Sequence, residues 1–404
     1  MVDTDSGVFA DNQPTKTSPT VADVFRTFGP AYRQAHPRLP LSHLQVMRAI
    51  ETCRTPQRGG HVYTCDHCGK HTFSYFSCRN RHCPTCQFLP AQRWLEKRQQ
   101  DLLPIPYFHV VFTLPEQLRP LALSNPQCLY RLLFHAASQT LLQLAADPKH
   151  LGARIGFSAI LHTWSQTLLY HPHLHCIVTG GGLAPDNTLW IAAKEEFFIH
   201  VRPLADLFRG KFLDELRKTH QDGNLRFSEH TRHLDAPGAF GKLLSQLYHT
   251  PWNVYCKPPF GGPHHVLEYL SAYTHRIAIS NHRILALDQQ TVTFRYRDSA
   301  DAKKTKTMTL QGFEFIRRFL LHVLPPGFVR IRHYGLLSNR NRKTHLDLAR
   351  TSLGIPLPPQ DQKTTPLPWQ DLLLARTGID PYLCPHCLKG RLSLSHCLLP
   401  KRPP

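Results

Sequence analysis

Three groups of residues in the 404-residue sequence have the types and spacing to do chemistry. The first is a cysteine and histidine run, Cys53…His61…Cys65-x-x-Cys68…Cys78…His82-Cys83-x-x-Cys86. Each C-x-x-C loop can place two thiolates on one tetrahedral zinc ion. Cys65, Cys68, Cys83 and Cys86 suffice for one ion, and Cys53, His61, Cys78 and His82 would complete a second. Spacing leaves open how these ligands are divided. Four protein ligands leave no position for a substrate, so the expected role is structural. The second group is His171, His173 and His175 in HPHLHC. A strand has a side-chain period of two, so all three imidazoles project to one face while Leu174 and Cys176 turn to a core. Two such imidazoles can hold a divalent cation and leave positions for phosphate oxygens, a Lewis-acid site for phosphoryl transfer. The third group is Tyr269 and Tyr273, four apart in HHVLEYLSAYTHR. On a helix they share a face, with Leu267, Leu270 and Ile277 left for the buried side. A phenolate can attack a phosphodiester to give a phosphotyrosine and a free hydroxyl, with no need of ATP. Either tyrosines or H-x-H alone would read more simply as packing; together they read as a site.

Patterning indicates the elements that must position these groups. Val24, Phe25, Phe28 and then Leu41, Leu44, Val46, Met47 and Ile50 predict two short helices around a proline-containing turn. A basic helix, AQRWLEKRQQDLL, follows the cysteine run. HVVFTLP predicts a buried strand, Pro120–Ala146 helix, and IGFSAILHTW and HPHLHCIVTGGG two strands separated by a loop. Leu189–Ala193 adds a strand and Pro203–His220 a basic amphipathic helix. NVYCKPPFGG is a strand and glycine turn ahead of the tyrosine helix. TVTFRYRD and KTMTL form a hairpin, and FEFIRRFLLHVL a helix.

Composition narrows the function classes. Lys and Arg number 48 against 28 Asp and Glu, a net charge of +20, which makes a polyanion the expected partner. The hydrophobic share of 41% is enough for globular cores. No apolar stretch is long enough to span a bilayer, and the polar N-terminus has no signal-peptide core, so the expected location is the cytoplasm, with the nucleoid. The 12 cysteines of such a chain suit metal ligation better than a disulfide framework.

Taken together, the segments GGHVYTCDHCGKHTFSYFSCRNRHCPTCQ, HVVFTLP, LHTWSQTLLYHPHLHCIVTGGG, KPPFGGPHHVLEYLSAYTHRIAISNHRI and FIRRFLLHVLPPGFVRIRHYGLL resemble the two-tyrosine rolling-circle insertion-sequence transposases of the HUH (His-hydrophobic-His) nuclease superfamily, which carry an N-terminal zinc-binding domain. The resemblance covers most of 49–337. It implies an α+β fold with an HUH-type antiparallel sheet and flanking helices, an N-terminal zinc-binding domain and a basic C-terminal region. It implies His173 and His175 as the metal pair for Mg²⁺ or Mn²⁺ and Tyr269 and Tyr273 as nucleophiles. By analogy with related relaxases His162 is the third metal ligand, with Gln166 and His171 as runners-up. The arginine often found between the family's tyrosines is Ala272 here, which weakens a phosphate contact without removing a reactive group.

The basic residues divide into those of the zinc module, Arg79 and Arg81 among them, Arg276 beside the tyrosines, and the later Arg317, Arg318, Arg330 and Arg332, all read as DNA contacts. Arg340, Arg342 and Lys343 extend that stretch. Cys384-Pro-His-Cys387 is half a zinc knuckle that Cys397, with His396 or His386, would finish. The expected organisation is a disordered leader (1–20), a zinc-binding DNA-recognition domain (21–104), a tyrosine-nuclease domain (105–300), a basic DNA-contacting region (301–352), and a Pro-rich linker with the C-terminal knuckle (353–404). The expected activity is cleavage and joining of single-stranded transposon ends and target through a 5′-phosphotyrosine. The rival readings are a rolling-circle replication initiator or relaxase, and a zinc-containing DNA-binding protein without catalysis.

Overall fold

Thr20 opens the first helix with a reciprocal cap. Its hydroxyl accepts from the Asp23 N–H at 3.3 Å, and the Asp23 carboxylate accepts from the Thr20 N–H at 2.8 Å. The computed structural model describes residues 18–194, 198–257, 277–298, 301, 304–357 and 367–401. The leader before residue 18 lies outside them.

In chain order the elements are α1 (Val21–Ala35), α2 (Leu41–Glu51), the hairpin β1 (Gly60–Cys65) and β2 (His71–Tyr75), α3 (Phe88–Gln99), β3 (Tyr107–Thr113), α4 (Arg119–Ser124) and α5 (Pro126–Ala146). Then come β4 (Arg154–Trp164), β5 (Tyr170–Leu183), β6 (Trp190–Ala192), α6 (Val201–Gln221), α7 (Ala239–His249), β7 (Val254–Lys257), β8 (Ile284–Leu287), β9 (Thr291–Arg297) and β10 (Thr305–Gln311). The last are α8 (Gly312–Leu320), β11 (Ile331–Gly335), α9 (Arg342–Ser352), α10 (Trp369–Thr377) and β12 (Leu392–Leu398). No helix among the described residues is long and apolar enough to cross a membrane.

The central sheet runs β11-β4-β5-β3-β7, antiparallel throughout, with β6 added to β5. This is the α+β, helix-flanked antiparallel sheet that the resemblance implies. Strand alternation gives the sheet two faces. On one, Phe112, Phe157, Leu161, Leu174, Cys176 and Val178 pack against Leu133, Phe134 and Leu141 of α5 and Phe208 and Phe212 of α6. Each such fully buried side chain contributes on the order of 1.5–3 kcal/mol. On the opposite face, Ile160 and Ile177 are covered by Leu95 of α3 and Leu346 and Ala349 of α9. Farther along that face the apolar cover gives way to imidazoles. The sheet edge is closed by β11, which pairs with β4 from Ile331↔Ile160 to Gly335↔Gly156; no expectation had assigned it a strand.

A second core joins the two ends of this arrangement. Val24, Phe25 and Phe28 of α1 and Met47 and Ile50 of α2 pack with Phe294 of β9 and Phe315, Ile316 and Phe319 of α8. The Phe25 and Phe319 rings meet edge to face at 5.1 Å. Gly312 permits the approach of α8, because a Cβ there would collide with the Phe28 ring. Cys53 and Cys83 belong to this same core.

Candidate metal centres and nucleic-acid contacts

The imidazole site is built by strand register. His162 on β4 lies directly across from His173 on β5, and Ile160 lies across from His175. His162, His173 and His175 therefore share one face, and a ligand nitrogen from each lies within 4.8 Å of the others. The His162 ring stacks on Trp164 at 4.4 Å and is 2% exposed, which fixes its plane. His173 Nδ1 donates to the His171 carbonyl at 2.6 Å, leaving Nε2 with its lone pair outward. That Nε2 is 3.1 Å from His175 Nε2. The His175 Nδ1 is in turn 2.8 Å from His109 Nε2 on β3, with the two rings near parallel.

This chain of contacts decides what the site can hold. Two Nε2 lone pairs cannot face each other at 3.1 Å without a proton or a cation between them. If a cation lies there, His175 Nδ1 carries the proton and donates it to His109, the usual outer-shell support of a metal-bound histidine. Burial holds His173 down to about 3 and His109 to about 4, and pushes His175 well below its ordinary value. All three are therefore neutral at pH 7, as ligands must be. The donor set fits a divalent cation. His171, a runner-up for the third ligand, instead lies against Arg119, 3.3 Å from its guanidinium. His109 is the residue that sequence reasoning missed; a single histidine in an apolar strand carries no spacing signal.

The cysteines assemble differently from the expected division. Cys53, Cys78, Cys83 and Cys86 form one group, and Cys65, Cys68, Cys384 and Cys387 another, each with its sulfurs within 4.8 Å. Cys53 and Cys86 Sγ are 3.4 Å apart, and Cys78 and Cys86 Sγ 3.5 Å. These separations are far beyond a disulfide bond of about 2.05 Å and near the edge of about 3.8 Å that a tetrahedron with Zn–S of ~2.3 Å has. The expected histidine ligands are committed elsewhere. His82 Nδ1 lies 3.0 Å from Asn80 Oδ1, and its Nε2 accepts from the Leu324 N–H at 3.1 Å. Burial keeps that ring neutral, down to about 3. His61 faces Tyr63 and the Phe76 ring. The expected C-terminal knuckle with His396 and Cys397 does not form. Both residues are on β12, paired with Val62 and His61 of β1, and Cys397 is exposed.

The candidate DNA contacts also divide. Arg79 and Arg340 are exposed. Arg81 is turned inward, donating to the carbonyls of Phe328 at 2.6 Å and Pro325 at 2.8 Å, and Arg330 is 8% exposed, its guanidinium held down to about 9 by burial. These two are structural cations and not phosphate contacts. Arg317 and Arg318 both grip Glu314, whose carboxyl is held near 2 chiefly by Arg317. Arg332 lies over the Phe134 ring at 4.2 Å. Tyr269, Tyr273 and Arg276 lie outside the described residues.

Comparison with known proteins places the chain among transposases. A family model described as "Putative transposase" matches residues 156–344, and one described as a transposase zinc-binding domain matches 24–114. The chain is 48% identical over 377 residues to "Putative transposase y4qJ" of Sinorhizobium fredii, covering 93% of this chain and 95% of that protein. It is 26% identical over 357 residues to the transposase for insertion sequence element IS801 of Pseudomonas savastanoi pv. phaseolicola, covering 85% and 81%. No solved structure matches.

Proposed function

The chain belongs to the insertion-sequence transposases of the IS91 and IS801 kind, and from that premise we propose that it cuts and rejoins single-stranded DNA by a rolling-circle route, through a 5′-phosphotyrosine. The observation that carries the proposal is the convergence of His162, His173 and His175 on one face of adjacent strands, with His109 behind His175.

The three imidazoles would hold Mg²⁺ or Mn²⁺, which supplies Lewis-acid polarisation of the scissile phosphate. The protein's own residues do the rest. Tyr269 or Tyr273 forms the new O–P bond as the P–O3′ bond breaks. The phenol's proton ends on the released 3′-hydroxyl, so the phosphodiester count is conserved and the step is reversible. Two tyrosines allow a second strand to be cut while the first is still attached. Stacking on Trp164, the His171 carbonyl and His109 keep the imidazole planes fixed, so little reorganisation is needed at the moment of cleavage.

The test is incubation of purified protein with labelled single-stranded DNA carrying the element ends, with Mg²⁺ or Mn²⁺, followed by mass spectrometry of the nuclease-trimmed adduct. The nucleotide is expected on Tyr269 or Tyr273, and none in the Tyr269→Phe/Tyr273→Phe protein. An adduct mapped to another residue, or no adduct under any condition, would overturn the proposal in favour of a different nucleophile or a non-catalytic DNA binder.

A further inference from the structure

The zinc-binding domain matched at 24–114 contains only half the ligands of the second cysteine group. Cys65 and Cys68 close the β1–β2 hairpin, whereas Cys384 and Cys387 lie 316 or more residues later. Across the group, Cys65 and Cys387 Sγ are 3.7 Å apart and Cys68 and Cys384 Sγ 3.8 Å, which matches the edge of about 3.8 Å expected around a tetrahedral zinc.

The two halves share a turn, closed one residue later in the second. In the first, the Cys65 N–H donates to the Lys70 carbonyl and the Gly69 N–H to the Cys65 carbonyl. In the second, the Cys384 N–H donates to the Gly390 carbonyl and the Leu388 N–H to the Cys384 carbonyl. The residue after each second cysteine takes a positive φ, +69° at Gly69 and +53° at Leu388. Backbone N–H groups point at the sulfurs: His67 and Cys68 at Cys65, and Gly390 at Cys387, each at 3.4 Å. The knuckles are locked together by Asp66, whose carboxylate accepts from the Arg391 N–H at 2.7 Å. Gly390 is obligatory, because a Cβ there would collide with Cys65 Sγ.

Apolar burial does little to hold this C-terminal piece in place. β12 pairs with β1 over Gly60↔Leu398 to Cys65↔Leu392, but its side chains are mostly exposed, Leu394 to 55%. Among the described residues after 366, the buried apolar side chains are Leu372 and Cys384. Backbone hydrogen bonds of an exposed edge strand contribute little net stability.

We infer that Cys65, Cys68, Cys384 and Cys387 bind a second structural Zn²⁺, so that the zinc module is discontinuous in sequence and residues 384–398 are one of its strands and knuckles. The ion closes a loop that contains the whole central sheet.

Zinc content and ligand type of the intact protein test this. With the imidazole site disabled by His173→Ala/His175→Ala, the chain should hold two zinc ions, with an X-ray absorption spectrum showing sulfur alone at about 2.3 Å. On that background Cys384→Ser/Cys387→Ser should leave one, while Cys397→Ser, which changes a cysteine outside both groups, should leave two. One zinc in the His173→Ala/His175→Ala protein, nitrogen ligands in its spectrum, or two zincs retained after Cys384→Ser/Cys387→Ser would each overturn the inference. The spectrum of the His173→Ala/His175→Ala protein decides the matter should the cysteine variant fail to fold.

Discussion

The cysteine group at Cys53 and the imidazole group at His173 are both metal-shaped, yet they sit in opposite settings. Cys53 and Cys83 are part of the core that joins α1, α2, β9 and α8, and four thiols close the coordination sphere. His162, His173 and His175 stand on a sheet face where apolar cover stops, and three imidazoles leave positions open. Closure makes a metal structural; an open, rigidly backed sphere lets it do chemistry. Under the proposed function the chain would use thiolates for the first and neutral imidazoles for the second.

The largest effect that would break this contrast is loss of the closed site. Structural zinc contributes on the order of 10–16 kcal/mol, as much as the whole stability of an ordinary domain, about 5–15 kcal/mol. Cys83→Ser should therefore lose the cooperative thermal transition of the N-terminal helices. A variant that melts like the wild type would show that the cysteine group is ordinary core. At the open site the opposite is expected: His173→Ala or His175→Ala should melt much as the wild type does but lose cleavage by about a thousandfold, several kcal/mol of transition-state stabilisation. Cleavage that persists in the double variant would put the catalytic cation elsewhere.

His109 sharpens the comparison. His109→Ala should weaken Mn²⁺ binding by about 10–100-fold, as loss of outer-shell support does, and His109→Gln, which can offer an acceptor oxygen at similar reach, should recover part of it. Titration calorimetry with Mn²⁺ alone reads this without any DNA; an unchanged affinity would make His109 a packing residue. Acid provides a smaller effect. His322, bonded to the Leu168 carbonyl, and His333, bonded to Ser158, are both held down to about 4 by burial. Their folded values lie below the ordinary ~6.5, so the unfolded chain binds more protons as pH falls. Stability should be full above about pH 6.5 and decline toward pH 4. The His333→Asn protein should show a shallower decline in its melting midpoint. Smallest of all, Arg340→Ala should lower DNA affinity evenly across sequences and reduce the salt slope by about one, whereas conservative changes at the inward-facing Arg81 should alter stability and leave that slope alone.

Much of this arrangement was legible from the residues. HPHLHC carried its own period, and the structure puts Leu174 and Cys176 in the core and the histidines opposite, as the alternation required. The paired apolar stretches of α1 and α2 and the hairpin β9–β10 were equally plain. What stayed hidden was long-range pairing. Spacing joins Cys65 to Cys68 but says nothing of Cys384, because knuckles have the same local sequence whichever partner they meet. β11 and β12 are short and polar on at least one side, and only the neighbouring strand makes them strands. Charge misled at Arg81, whose guanidinium satisfies buried carbonyls, and at the buried Arg330, since each has the same one-letter code as an arginine that meets phosphate.

The four-cysteine group that spans the chain also has a consequence in time. A ribosome adding about 5–20 residues per second takes roughly 15–60 s to cover the 316 residues between Cys68 and Cys384. During that interval Cys65 and Cys68 wait with half a ligand set, while the central sheet between them and their partners is made and folds. The Cys65 group is thus among the last to be finished, and a nascent or prematurely terminated transposase meets the genome with the Cys53 group alone complete.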